Sequence, residues 1–266
     1  MAMKRSVWLP LAFIGACLGC ERPLNIPIKA NVTGKIAVEA TITNENRSQM
    51  VRLYQPHAAL NEPDLPASGA DVTIMINNTE LPLTEFPVGS GYYHSAPFRA
   101  LFGNTYTLII KWHDKVYVGT DSPQPVEPLQ SINVSSAGDG YILNQSNSGQ
   151  LANFIENRIS WANTSACTSG NCFETVIFYD LKNIDVNEVF KPGKSVETFP
   201  SGSYIIRRKH SVSEIYKSYL RAMLSETEWR GGYFDVQRDN ATSNMSGGCL
   251  GFFATTTVVS DTIIVK

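Results

Sequence analysis

The amino-acid sequence predicts a mainly all-β protein with two β-sandwich-like domains, the first immunoglobulin-like and the second containing one amphipathic helix. Short segments alternate apolar and polar residues with a period of two, which is typical of half-buried strands. Asn, Gly and Pro residues separate these segments, and one segment alone has helical periodicity. Parallel sheets need crossover helices, so this pattern favours antiparallel sheets. The 266 residues, 43% hydrophobic and 17% charged, suit a globular chain of one or two domains.

The chain begins with the features of an export signal. Lys4 and Arg5 precede the apolar run SVWLPLAFIGACLG, and Glu21 ends the run well short of the roughly 20 apolar residues that a membrane-spanning helix needs. We therefore predict a lipoprotein signal peptide over residues 1–20 and a tether over residues 21–33.

Two cysteines at the end of this signal compete as the site of lipid attachment. A lipoprotein signal peptidase requires small residues before a cysteine whose thiol has accepted a diacylglyceryl group. The sequence IGAC places an aliphatic residue three positions before Cys17, whereas CLGC places Cys17 itself in that position before Cys20. On this motif Cys17 fits slightly better, and an ordinary secretory signal is the alternative.

Strand patterns dominate the first predicted domain, residues 34–120. In KIAVEATIT, the residues Ile36, Val38 and Ala40 form one apolar face, and DVTIMIN, GYYHSAP, NTYTLIIKW and KVYVGT repeat the alternation between turn residues. Three prolines in residues 121–128 cannot continue a strand ladder and indicate a linker.

The second predicted domain, residues 129–266, adds one helix near 212–229 to further strand patterns. Ser211 and Glu214 form a capping-box pair, and Gly231 with Gly232 would end the helix. We interpret its apolar stripe as packing on the sheet of its own domain. The stripe consists of Val212, Ile215, Tyr216, Tyr219, Leu220, Met223 and Leu224.

The cysteines in the body of the chain predict one disulfide and no metal site. Cys167 and Cys172 flank a short turn, and export to an oxidising compartment favours a bond between them. Cys249 lies in an apolar, Gly-rich stretch and is interpreted as a buried small hydrophobe. The four histidines are scattered singly, which does not suit zinc, so we predict no metal and no cofactor.

Charge and motifs argue against nucleic-acid binding and against catalysis. Loss of Lys4 and Arg5 with the signal leaves 20 basic and 24 acidic residues, which takes the formal net charge from −2 to −4. The densest basic cluster, IIRRKH at 205–210, is interpreted as the solvated end of a strand. No esterase elbow, zinc helix, phosphate-binding loop or dinucleotide fingerprint occurs, so we predict that the protein is not an enzyme.

Several segments resemble the bacterial lipoprotein family named domain of unknown function 4249. They are Cys20–Glu21, IAVEATIT, VRL at 51–53, SGADVTI at 68–74, GYYHS at 91–95, GNTYTLII at 103–110 and SNMSGGCLGFFATTT at 243–257. The resemblance implies that Cys20 rather than Cys17 is acylated. It also implies a structural role for the family-motif residues Gly103, Tyr106, Ser243, Asn244, Gly247, Gly248, Gly251 and Phe253.

The resemblance also implies a location and a partner. Members look like non-catalytic lipoproteins of the outer membrane or cell surface, often encoded beside TonB-dependent outer-membrane receptors. We therefore expect an accessory or lid-like partner of such a transporter in nutrient capture. An independent surface module that binds glycans or acts as an adhesin is the alternative.

Overall fold

A computed structural model describes residues 34–57, 63, 65–145, 149–168, 170–182, 186–190, 192–194, 196–230 and 241–266. The predicted signal peptide, the tether and both candidate lipid cysteines lie outside these residues. Residues Val32–Lys266 form one compact unit. The division into two domains with a linker at 121–128 stays a prediction.

One large sheet is built from the first eight strands and one strand from near the end of the chain. Its order is β14-β1-β2-β6-β5-β4-β7-β8, with β3 added beside β2. The strands are β1 (Ala37–Thr43), β2 (Met50–Gln55), β3 (Leu65–Pro66), β4 (Asp71–Ile76), β5 (Thr79–Glu85), β6 (Tyr92–Ser95), β7 (Tyr106–Trp112), β8 (Lys115–Asp121) and β14 (Leu250–Thr256).

The large sheet curls into a nearly closed barrel. Its terminal strands are β8 and β14. Met245, which lies shortly before β14 in the chain, forms an isolated β-bridge with Gly119 of β8. β14 runs parallel to β1, with Ala37 opposite Leu250, whereas the other neighbours run antiparallel. The alternating residues Ile36, Val38 and Ile42 lie inside the barrel with no exposed surface, together with Phe253 of β14.

Two smaller sheets and two helices complete the described residues. A four-stranded sheet has the order β12-β11-β13-β15, and β9 pairs with β10 in a hairpin. The strands are β9 (Val134–Ala137), β10 (Gly140–Leu143), β11 (Asn153–Ser160), β12 (Phe173–Asp180), β13 (Tyr204–Ser211) and β15 (Val258–Ile264); the helices are α1 (Val186–Val189) and α2 (Glu214–Glu226). The predicted fold class, mainly all-β with sandwich-like sheets and one amphipathic helix, is confirmed.

The helix starts later than its sequence pattern predicts. Ser211 is the last residue of β13, where it pairs with Asn153, so the predicted capping pair of Ser211 and Glu214 is wrong. The N-cap is Ser213, whose hydroxyl accepts a hydrogen bond from the Tyr216 N–H at 3.2 Å. Because the pairing of β13 with β11 extends to Ser211, the N-cap lies two residues later than the sequence predicts.

The stripe of α2 is a packing face, as predicted, but the sheet that it covers is the outside of the barrel, which is built mainly from the first predicted domain, and one stripe residue stays exposed. Tyr216, Leu220 and Leu224 are buried in a cluster with Phe252 and Ala254 of β14. β14 therefore supplies side chains to two cores, since Phe253 points into the barrel and its neighbours point towards α2. Ile215 is 58% exposed and does not join the cluster.

The basic cluster at 205–210 is buried and is not the solvated end that its sequence predicts. It lies in β13, a strand with neighbours on both sides, and Arg207 and Lys209 are almost completely buried. Arg207 pairs with Asp261, Arg208 pairs with Glu45 and Glu156, and Lys209 Nζ lies 3.4 Å from the Pro128 carbonyl oxygen. These partners come from distant parts of the chain, so no local sequence pattern predicts the pairs.

Candidate functional site

A groove of about 650 Å³ lies where α2 crosses the outer face of the barrel. Its volume falls within the range of about 300–1,000 Å³ that ligand sites typically have. Strands β1, β2, β6, β12 and β14, the β1–β2 loop and α2 all contribute to it. The lining residues are Val38, Glu39, Ala40, Thr41, Arg47, Ser48, Met50, His94, Tyr179, Tyr216, Tyr219, Leu220, Met223 and Phe252.

Aromatic rings form the floor of this groove. The Phe252 ring centroid lies 4.8 Å from that of Tyr219 and 5.0 Å from that of Tyr216. Phe154 continues the cluster beneath, with its ring 6.4 Å from Tyr216 and 5.8 Å from Tyr179. Such packing fixes the ring planes, and fixed planes suit the stacking of a flat or apolar ligand face.

Charged and polar side chains border the aromatic floor. Glu39 accepts hydrogen bonds from Arg52 at 3.1 Å and from the Tyr54 hydroxyl at 3.0 Å, which holds its carboxylate on the outer face of the barrel. Arg47 also lines the groove, and its side chain lies 3.4 Å from Glu45. The groove therefore offers groups of both charges around an apolar centre, which is the usual arrangement of a ligand site.

The groove phenols stay protonated near neutral pH. Burial raises the pKa of Tyr179 to about 12, and the negative charge of Glu228 adds to this effect. Burial also raises the pKa of Tyr216, and that of Tyr219 beside Glu39. Each of these hydroxyls therefore keeps its proton at pH 7, and none is poised to act as a base.

A second cavity, of about 560 Å³, is also lined by Tyr179. Lys194 spans it by pairing with Glu228 at 3.0 Å and by donating to the Ile177 carbonyl at 2.8 Å. Trp229 and Val196 supply apolar surface. Tyr179 borders both cavities.

Most of the family-motif residues meet at the seam between β8 and β14. The Ser243 hydroxyl accepts a hydrogen bond from the Met245 N–H at 3.0 Å, and Asn244 hydrogen-bonds to both terminal strands. Gly251 has a φ of 81°, and a Cβ there would lie 2.0 Å from the Val38 carbonyl oxygen. Gly247 and Gly248 also have positive φ angles, and Phe253 is fully buried.

Two family-motif residues lie away from the seam, in and beside the loop between β6 and β7. Gly103 has a φ of 89°, with open space where a Cβ would be. Tyr106 is fully buried, and its hydroxyl accepts a hydrogen bond from the Leu101 N–H at 2.6 Å. These contacts order a loop and do not line the groove.

The predicted disulfide is present. Cys167 and Cys172 are bonded in the loop between β11 and β12, with Cα atoms 5.6 Å apart. Cys249 is a free, buried thiol in the barrel core. Among the described residues, no group of three or more His, Cys, Asp or Glu side chains could hold a metal ion. Within the same residues, no helix is long and apolar enough to cross a membrane.

Sequence reasoning missed the groove. Two aromatic residues of the barrel strands, Tyr93 and Trp112, are core residues whose polar atoms already have partners. The Tyr93 hydroxyl donates to the Ala67 carbonyl at 2.8 Å, and Trp112 Nε1 donates to the Ser68 carbonyl at 3.1 Å. Tyr219 and Met223 line the groove and belong to the helical stripe. The sequence pattern predicts this stripe only as a face that packs in the core.

Comparison with known proteins assigns the family of this mainly β protein. The sequence profile of the family described as domain of unknown function (DUF4249) matches residues 21–262. The match covers most of the chain, so the protein belongs to this family. No curated protein matches the chain.

Proposed function

We propose that this protein is a non-catalytic lipoprotein of the outer membrane or cell surface that assists a TonB-dependent transporter in nutrient capture. In this proposal the groove beneath α2 holds a peptide, glycan or chelate before its transfer to the transporter. The observation that carries the proposal is the groove itself, an open cavity with a fixed aromatic floor and polar borders. Binding and transfer need such a surface and no catalytic group.

The sequence supports the lipid anchor at Cys20. The family match begins at Glu21, the residue that would follow an acylated N-terminal cysteine. The proposed signal ends at the same place, and family members look like surface lipoproteins. Membrane retention of the wild type compared with the Cys17→Ser, Cys20→Ser and double variants tests the anchor, and unchanged retention of the double variant contradicts it.

Co-purification from the native outer membrane tests the transporter partnership. The tagged full-length protein is extracted in mild detergent, and the proteins that accompany it are identified by mass spectrometry. A stoichiometric TonB-dependent receptor is the expected result. Recovery of the lipoprotein alone contradicts the partnership and favours the second candidate.

The second candidate function is an independent glycan-binding or adhesin module. The Tyr219 ring, which borders the groove and packs on Phe252 with a centroid distance of 4.8 Å, favours it, since aromatic faces bind sugar rings. A glycan array with the isolated protein tests this function. Tyr219→Ala would weaken binding in the groove, whereas Ile215→Ala on the exposed face of the same helix would leave it unchanged. Equal effects of the two variants would exclude the groove as the site.

A further inference from the structure

We propose that one end of the barrel rests on a lipid bilayer, with the tip of the β5–β6 loop inserted among the headgroups. This proposal rests on the lipid anchor of the proposed function. Three features of the barrel surface support it: the end at which the chain enters, the side chains that this end exposes, and the contacts at the other end.

The end of the barrel that we place on the bilayer is the one at which the described chain begins. Gly34 precedes β1, and its carbonyl accepts a hydrogen bond from Lys115 Nζ at 2.8 Å, at the start of β8. Ala37 pairs with both Tyr54 and Leu250, so the start of β1, the end of β2 and the start of β14 share this end. The β5–β6 loop lies here too, because the Leu53 N–H donates to the Gly91 carbonyl. We call this end the entry rim; it comprises Gly34, Leu65, residues 86–91, Val116 and Leu250.

The entry rim exposes apolar side chains. Phe86 is 70% exposed and Val88 is 89% exposed, and the two lie at one loop tip. Leu65, Val116 and Leu250 add exposed apolar surface around the same rim. Single exposed hydrophobic residues are ordinary, but a group of them on one rim marks an interaction surface.

The loop that carries Phe86 and Val88 is held in place from within. The Glu85 carboxylate accepts hydrogen bonds from the Gly91 N–H and the Ser68 hydroxyl, each at 2.8 Å, and from the Gly69 N–H at 3.3 Å. The Ser90 N–H closes the turn by donating to the Pro87 carbonyl at 3.1 Å. A loop fixed in this way presents its tip with little further loss of entropy on binding.

Covalent connection brings this rim near the proposed anchor. Thirteen residues lie between Cys20 and Gly34, so a fully extended chain holds the rim within about 50 Å of the acylated residue. The opposite end of the barrel is contacted by the four-stranded sheet, where Asn44 hydrogen-bonds to Val258 and Glu45 pairs with Arg208. Within the described residues these contacts place the four-stranded sheet at the end opposite the entry rim, so the rim is the end that we assign to the membrane.

Apolar contact and not charge would drive this docking. The rim carries Lys35, Lys111 and Lys115, but Asp71, Asp114 and Glu85 lie among them, and Lys111 is paired with Asp71. A surface of mixed sign gains little from anionic lipid. Insertion of the loop tip should therefore depend weakly on salt.

Site-directed fluorescence tests the proposal. Val88→Cys and Phe102→Cys each receive an environment-sensitive dye; Phe102 is the matched control, being 70% exposed but in the loop at the other end of the barrel. Cys249 is buried and Cys167 is bonded to Cys172, so neither competes for the dye. The full-length protein is purified from membranes with its own anchor and reconstituted on phosphatidylethanolamine–phosphatidylglycerol vesicles that contain nitroxide-labelled lipid.

The expected result is quenching at position 88 at least about twofold stronger than at position 102, with little change between about 0.1 and 0.5 M salt. A second probe at Leu65→Cys should follow position 88. Equal quenching at both ends, or none at position 88, overturns the proposal. If the protein does not stay on the vesicles, the anchor has failed; a histidine tag before Glu21 and nickel-chelating lipid then hold the same chain and give the same comparison.

Discussion

Asn244 and Phe253 are joined by two hydrogen bonds: Asn244 Nδ2 donates to the Phe253 carbonyl at 2.7 Å, and the Phe253 N–H donates to Asn244 Oδ1 at 3.0 Å. One side-chain amide thus satisfies both backbone groups of a β14 residue, as a neighbouring strand would. The same Nδ2 donates to the Thr120 carbonyl of β8 at 3.3 Å. Asn244 therefore connects the two terminal strands of the barrel.

Replacing this side chain should weaken the closure of the barrel. Asn244→Ala leaves the Phe253 N–H and carbonyl without their partner, which should lower the free energy of unfolding by about 2–3 kcal/mol. Urea unfolding monitored by circular dichroism measures the change. Asn144→Ala, which removes an exposed hydrogen bond to Ser135, is the control and should cost less than about 0.5 kcal/mol. Similar costs for the two variants would mean that the seam does not depend on Asn244.

Gly248 and Gly251, two glycines of the segment 243–257, provide a matched pair. At Gly251 a Cβ would meet the Val38 carbonyl oxygen at 2.0 Å, whereas at Gly248 nothing lies within 4 Å, although both residues have φ angles between 70° and 85°. Gly248→Ala should therefore cost about 1 kcal/mol for the backbone conformation alone. Gly251→Ala must also push β14 away from β1 and should cost at least about 3 kcal/mol. Equal unfolding midpoints for the two variants would contradict this packing.

The buried thiol of Cys249 reports whether the barrel is closed. Burial raises its pKa to about 12, so the reactive thiolate is scarce at pH 8. We expect iodoacetamide to leave Cys249 unmodified in the native protein and to modify it fully in denaturant, as peptide mass spectrometry would show. In the Asn244→Ala variant, modification should become measurable under native conditions. Rapid alkylation in the wild type would show that the core around Cys249 opens readily.

Local periodicity predicts the individual elements of this fold well. Ile36, Val38 and Ala40 alternate in the sequence and lie on the inner face of β1, and Tyr216, Leu220 and Leu224 recur at helical spacing and are buried on α2. These signals depend on neighbouring residues only, which one sequence contains in full. They also mislead locally, since Ser211 resembles a helix cap until its pairing with Asn153 is known.

Contacts between distant residues could not be predicted in this way. The parallel pairing of Ala37 with Leu250 joins residues more than 200 positions apart, and nothing in either segment specifies the other. The groove has the same origin, because Tyr219 and Phe252 become neighbours only when α2 packs over β14. A residue in an apolar helical stripe can pack in a core and still border a groove, so the stripe alone did not reveal the site.

A partly buried group of charges connects the barrel to the four-stranded sheet. Arg208 of β13 pairs with Glu45 from the β1–β2 loop and with Glu156 of β11. His210 lies beside them, stacked on Phe154 at 4.4 Å, with Nε2 3.8 Å from Glu156 Oε2 and Nδ1 3.2 Å from the Thr256 hydroxyl. Burial lowers the pKa of His210 below its usual value, and the Arg208 charge adds to this effect, although Glu156 and Glu45 oppose it.

Acidification should therefore destabilise the protein through His210. The unfolded histidine takes up a proton near pH 6.5 while the folded one resists it, so the unfolded state binds more protons as the pH falls. Stability is then present above about pH 6.5 and decreases below it, with a slope of at most about 1.4 kcal/mol per pH unit from this group. Urea unfolding at pH 7.5, 6.5 and 5.5 measures the slope. His210→Asn should flatten it, whereas His113→Asn, in the exposed turn between β7 and β8, leaves His210 in place and should preserve it. An unchanged slope in His210→Asn would assign the acid sensitivity to other groups.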